Sequence, residues 1–252
     1  MANKGQKKTN KKAQVALFVI IAIILVAGIS SYFLFKNQGE KKVDANAQEV
    51  YNYIQSCIDN SLIGGLTFVS LSGGYIIPPE QSVMTDSAVI SYWAYNGTDI
   101  SPDISEIENE LNNYVEVLTL LCTNFSKFPL LTIEEGNISA KTKIEAEKTS
   151  VELNWPLIIK KADKTYNIEK PYISSEPVRL GRIYEFTNGV VARKVLAPEE
   201  TPLSYITSTF NMAYMNVTIL PYDDSSIYII TDLQKENQLA NSPYIFMFAT
   251  QP

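Results

Sequence analysis

The sequence predicts an α+β protein: an N-terminal transmembrane helix, then helices packed with antiparallel β-meander sheets. Three observations predict it. Residues 15–35 (VALFVIIAIILVAGISSYFLF) carry no charge and only three polar side chains, Ser30, Ser31 and Tyr32. Apolar residues then recur at intervals of three and four over residues 45–72 and again over 104–122, the spacing of a one-sided helix. From Ile138 onward the interval falls to two, the spacing of a strand with one face buried.

The apolar run is the first element. At about 1.5 Å per residue it reaches roughly 30 Å, the thickness of the bilayer hydrocarbon. A helix also satisfies its own backbone hydrogen bonds, which lipid cannot do. Lys4, Lys7, Lys8, Lys11 and Lys12 precede it with no acid among them. That bias places the N-terminus in the cytoplasm and the rest of the chain outside. The expected organisation is a basic cytoplasmic tail (1–14), a membrane span (15–35) with the lipid bilayer as its partner, a linker (36–44), a mainly helical part of an external domain (45–134) and an α+β part (135–252). A cleaved secretory signal is the alternative, with small residues at Ala27-Gly28 and Ser30-Ser31. The run is longer than the usual h-region of 7–15 residues. A buried core helix would need a polar side, which the run lacks.

Residues 1–36 hold six lysines and no acid, so a whole-chain charge of −6 leaves −12 on the remainder. An acidic external body argues against nucleic acid and anionic lipid headgroups as partners, because both call for lysine and arginine. Other surface proteins, or further copies of the chain, are the expected partners. The sequence has two cysteines and no histidine, so no zinc or iron–sulfur pattern can be assembled and no cofactor is expected. Outside the cytoplasm Cys57 and Cys122 are expected to form a disulfide. A loop of that length would contribute about 4 kcal/mol in the chain-entropy account. Two separately buried thiols are the alternative.

The elements follow in order. Val50, Ile54, Cys57/Ile58, Ser61/Leu62, Gly65/Leu66 and Val69 mark the inner face of a helix over 45–72. Gly64-Gly65 inside it signals either close packing or a break, and Gly73-Gly74 ends it before Pro78-Pro79. Residues 88–95 (AVISYWAY) read as a strand ending at the turn Asn96-Gly97. Ser101 as N-cap, Pro102 in first position and the early acids Asp103, Glu106 and Glu108 start the next helix. Its apolar face takes in Ile107, Leu111, Leu118 and Cys122, so the expected disulfide joins helix to helix. Alternating strands cover 138–144 and 151–159, with Pro156 marking an edge or bulge. Tyr166 and Ile168 follow a turn at Ala162-Asp163-Lys164. Helices are predicted over 178–197 and 203–214, then strands over 217–220, 227–231 and 244–248.

Without histidine, the serine triads and the HExxH zinc motif are excluded, and no phosphate-cradling glycine loop is present. Paired carboxylates are the remaining inventory for catalysis: Glu134/Glu135 and Asp223/Asp224 in predicted loops, and Glu106/Glu108/Glu110 on the wet side of a helix. Asp223-Asp224-Ser225 offers clustered oxygens to a calcium ion but lacks the spacing of a calcium loop, and reads as a hairpin turn. Tyr92, Trp93 and Tyr95 offer a sugar- or protein-binding face. Strand alternation places Tyr92 on one side and Trp93 with Tyr95 on the other, one set in the core. Four glycosylation sequons begin at Asn96, Asn124, Asn137 and Asn216, in keeping with an external domain.

Two resemblances rest on these residues. Lys11-Lys12-Ala13-Gln14-Val15 before an apolar run resembles the class III signal of archaeal type IV pilin-like proteins. That resemblance implies cleavage between Ala13 and Gln14. Phe18 stands where many pilins carry glutamate, and residues 36–44 (KNQGEKKVD) interrupt the continuous helix that pilins have. Gln55-Ser56-Cys57-Ile58, Gly73-Gly74-Tyr75-Ile76 with Pro78-Pro79, residues 92–97, Ile107-Glu108-Asn109 with Cys122, Glu135-Gly136-Asn137 and Pro177-Val178-Arg179-Leu180-Gly181 resemble an uncharacterised family of single-span membrane proteins of small-genome (DPANN-type) archaea. This second resemblance covers nearly the whole chain. It implies the topology and the paired cysteines, and no catalytic residue. The expected function is a structural or interaction role at the cell surface. A processed filament subunit and an anchored two-carboxylate hydrolase are the alternatives.

Overall fold

The computed structural model describes residues 45–252. The apolar run 15–35 and the Ala13–Gln14 bond lie outside them. Among the described residues no helix is long and apolar enough to cross a membrane. The fold is α+β. The first helix among the described residues, α1 (Ala45–Leu71), runs unbroken through Gly64-Gly65. Its predicted inner row, Val50, Ile54, Cys57, Ile58, Leu62, Leu66 and Val69, is buried throughout. A Cβ on Gly65 would stand 2.9 Å from Leu111 and 3.1 Å from Tyr114, and one on Gly64 would stand 3.0 Å from the Tyr114 hydroxyl. The glycine pair therefore marks close packing against α2 (Ile104–Cys122), not a break.

Helix α2 departs from expectation at both ends. Its N-cap is Asp103, whose N–H donates to Glu106 Oε2 at 2.7 Å. Ser101 instead bonds Asp99, because a short strand holds that segment extended just before the helix. At the other end Cys122 lies off the buried row of Ile107, Leu111, Val115 and Thr119 and is exposed. It is nevertheless joined to buried Cys57, with the two Cα atoms 5.8 Å apart across 65 residues of chain. The Tyr53 hydroxyl donates to the Cys122 carbonyl at 2.8 Å and accepts from the Asn124 N–H at 3.0 Å, closing the helix end beside the disulfide.

Among the described residues the strands form one large and three small sheets. Strands β1 (Ser82–Met84), β2 (Val89–Tyr95), β3 (Thr98–Asp99), β10 (Met215–Tyr222), β11 (Ser225–Asp232) and β14 (Ile245–Gln251) make the main sheet, ordered β1-β2-β14-β11-β10 with β3 alongside β2. All its pairings are antiparallel except β14 with β2. Helices α3 (Leu180–Leu196) and α4 (Leu203–Met212) pack against this sheet and each other. Trp93, Phe246, Phe248 and Tyr228 from the sheet join α1, α2, α3 and α4 in one buried core.

The middle of the chain is two interleaved sheets, where alternation alone suggests a single meander. Strands β4 (Thr132–Glu135), β7 (Leu157–Lys161) and β8 (Lys164–Ile168) form one; β5 (Ser139–Ile144), β6 (Thr149–Asn154) and β9 (Tyr172–Glu176) form the other. The predicted strand over 151–159 is broken at Trp155-Pro156. Proline has no N–H to continue a ladder, so the chain changes sheets there. The Pro156 carbonyl is used instead, accepting from Gly136 N–H at 2.8 Å. The last pair, β12 (Gln238–Leu239) with β13 (Ser242–Pro243), is a short hairpin.

Two polar contacts hold these layers. Along the free edge of β5, the N–H groups of Ala140, Thr142 and Ile144 donate to Glu116 Oε1 (2.7 Å), Asn112 Oδ1 (2.5 Å) and Glu108 Oε1 (2.9 Å) of α2. Four helical residues advance about 6 Å and two strand residues about 6.6 Å, so the two repeats stay in step over three rungs. Elsewhere Arg179, in the turn before α3, makes a two-pronged bond to Asp232 at the end of β11: Nε to Oδ2 at 2.6 Å and an Nη to Oδ1 at 2.5 Å. Both side chains are out of water, 2% and 0% exposed. Gln234 N–H and Asn237 Nδ2 complete the carboxylate's shell.

Three outcomes follow. In Gly181→Ala the new methyl would meet the Glu145 carbonyl oxygen at 2.6 Å, a backbone atom, so thermal unfolding should show a loss of about 1–3 kcal/mol. Gly65→Ala presses on the movable tip of Leu111 and gains up to about 1 kcal/mol of helix propensity, so it should be near neutral. Asp232→Ala strands a buried guanidinium and should cost about 3–5 kcal/mol in denaturant unfolding. A loss under 1 kcal/mol would mean that water reaches Arg179.

Candidate functional site

The residues around 73–100 build a groove by local rules. Gly73 and Gly74 adopt φ of +69° and +95°, which lets the chain turn sharply off α1. Trp93 Nε1–H donates to the Gly73 carbonyl at 2.9 Å and Ser91 Oγ–H to the Ser72 carbonyl at 2.7 Å, pinning the turn to β2. The following loop is held where Glu110 Oε2 accepts from the Ile76 N–H at 2.9 Å. Beyond β2, Asn96 and Gly97 both have positive φ, the requirement of a two-residue hairpin that twists with its strands.

Strand β2 does not alternate as its sequence suggests. Its pairing with β14 shifts register between Ala249, opposite Tyr92, and Thr250, opposite Ala94. The extra residue is Trp93, and the resulting bulge re-aims the strand. Trp93 enters the main core, edge-on to Tyr184 and Phe246. Tyr95, expected beside Trp93, instead packs against Tyr92 with ring centroids 5.2 Å apart. Tyr92 sits in a second, smaller cluster with Val83, Ile90, Ile227 and Ala249.

The result is a cavity of about 470 Å³ lined by Tyr75, Pro79, Gln81, Tyr92, Tyr95, Asn96, Thr98 and Ile100. That is within the range of ligand pockets. Every lining side chain is uncharged. The Tyr92 hydroxyl is engaged with Ser225 Oγ at 2.7 Å, so its ring serves as wall. Burial first, then the nearby charges of Glu106 and Glu110, push the Tyr75 phenol above its ordinary pKa. It stays protonated and able to donate.

The other predicted residues are placed as follows. Glu108 is not on a wet helix face: it belongs to the β5 edge ladder, while Glu106 caps α2 and Glu110 holds the loop at Ile76. Glu134 lies on β4, not in a loop, and pairs with Lys160 across to β7; Glu135 ends the same strand. Asp223 and Asp224 form the exposed β10–β11 turn while neighbouring Ser225 is turned inward to Tyr92. None of these carboxylates lines the groove. Among the described residues no group of three or more His, Cys, Asp or Glu side chains is placed to hold a metal ion. All four sequon asparagines are exposed: Asn96 on the groove, Asn124 at the end of α2, Asn137 between β4 and β5, and Asn216 on β10.

Sequence reasoning missed Tyr75, Gln81 and the Arg179–Asp232 pair. Tyr75 and Gln81 lie in an aperiodic loop. The arginine and aspartate are 53 residues apart with no shared pattern. The chain matches no protein-family model, no curated protein and no solved structure.

Proposed function

We propose that the chain is a single-pass, membrane-anchored protein with its N-terminus in the cytoplasm and residues 45–252 outside the cell, in a structural or interaction role. What carries the reading is the Cys57–Cys122 disulfide, since such bonds persist in oxidising surroundings and not in the cytosol. The uncharged run 15–35 with its lysine-rich approach supplies the anchor and its orientation. The −12 charge outside the first 36 residues directs partners away from nucleic acid and toward other surface proteins or further copies of the chain.

A second reading shares the anchor and adds processing: a pilin-like subunit cut between Ala13 and Gln14. The 27-residue helix α1, laid against antiparallel strands soon after the apolar run, favours it.

Protease added to intact cells should digest the body and leave a membrane-held N-terminal fragment; full protection would overturn the external placement. Intact mass of the purified chain separates the two readings. A mature N-terminus at Gln14 selects the processed subunit, and one at Met1 or Ala2 selects the uncleaved anchor.

A further inference from the structure

The groove holds more chemistry than a structural role requires. Its walls are tyrosine rings with Pro79 and Ile100; its polar groups are amides and hydroxyls from Gln81, Asn96, Thr98 and Tyr75. A sugar ring has the matching construction, an apolar C–H face bounded by hydroxyls. Aromatic faces carry partial negative charge and attract such C–H groups, while amides and hydroxyls bond the rim. No lining side chain is charged, and Glu106 and Glu110 act on Tyr75 from nearby. Their field disfavours an anionic ligand. A quaternary ammonium would use the rings but not the amides, and would fill little of 470 Å³.

A second, independent observation points the same way. Asn96 and Thr98, the acceptor and hydroxyl residues of the sequon Asn96-Gly97-Thr98, both line the groove. Asn96 is exposed and held at positive φ by the hairpin, so an attachment point for sugar stands at the groove's own rim.

We propose that the Tyr75/Tyr92/Tyr95 groove binds a neutral saccharide, supplied either by a glycan on Asn96 itself or by a glycan on another molecule. The external placement proposed above decides which glycans reach it; the binding chemistry does not depend on that placement.

The test uses the full chain, disulfide intact, in a micelle of zwitterionic detergent without sugar headgroups. One preparation carries no glycan and the other carries one at Asn96, as verified by mass. The probes are millimolar maltotriose and N,N′-diacetylchitobiose, with a proline-rich peptide and choline as controls, read by saturation-transfer NMR at the C–H protons of each. The glycan-free chain should transfer saturation to at least one probe. Tyr95→Ala should abolish the transfer, and Gln81→Ala, at an exposed position with no fold to disturb, should weaken binding about tenfold. If the glycan is the chain's own, the Asn96-modified preparation excludes the probe that the glycan-free preparation binds. If the saccharide comes from elsewhere, modified and unmodified chains bind alike. No transfer to either sugar from the glycan-free chain overturns the proposal. So does transfer unchanged in both variants, or transfer only to a proline-rich peptide or to choline. Because the purified chain is used, its failure is separable from a failure of the topology, which protease on intact cells reads by itself.

Discussion

The architecture depends on α2 standing in for a missing strand. An open sheet edge leaves a row of N–H groups without partners, and a buried one costs about 1–3 kcal/mol for each group left so. Glu108, Asn112 and Glu116 supply acceptors at a repeat of four, and β5 presents donors at a repeat of two. The near equality of those two rises lets a helix close a sheet. It also fixes where α2 lies, because sliding by one residue would lose all three bonds together. The Gly64-Gly65 contact then sets how closely α1 approaches, and the disulfide ties the middle of α1 to the C-terminal end of α2.

How much was legible in the sequence follows from how local each signal is. The buried row of α1, the β10 and β11 hairpin and the bounds of α3 are written in spacing within one element, and they stand as the spacing predicts. Spacing in α2 identified Ile107 and Leu111 but misplaced Glu108, since an acid that caps a sheet edge looks the same as one facing water. The Trp155-Pro156 break was visible as a proline, yet nothing local says that its two sides belong to different sheets.

The groove shows the same limit more sharply. Residues 88–95 announced a strand, and alternation assigned Tyr92 and Tyr95 to opposite faces. One inserted residue, Trp93, reverses that assignment, and the insertion is defined only against β14, over 150 residues away in the chain. A tryptophan expected beside Tyr95 becomes the pin that holds the α1 exit to the sheet, and the two tyrosines come together. The surface that can recognise a ligand is thus a product of long-range pairing.

That pairing also bears on the order of assembly. β14 lies between β2 and β11, with its one parallel partner drawn from the beginning of the body. During synthesis, the two halves of the main sheet exist only as separate hairpins until residues 245–251 emerge. Closing so long an intervening stretch is slow and entropically costly. The nascent body must therefore wait with Trp93 and Tyr228, both destined for the core, still uncovered on their separate hairpins.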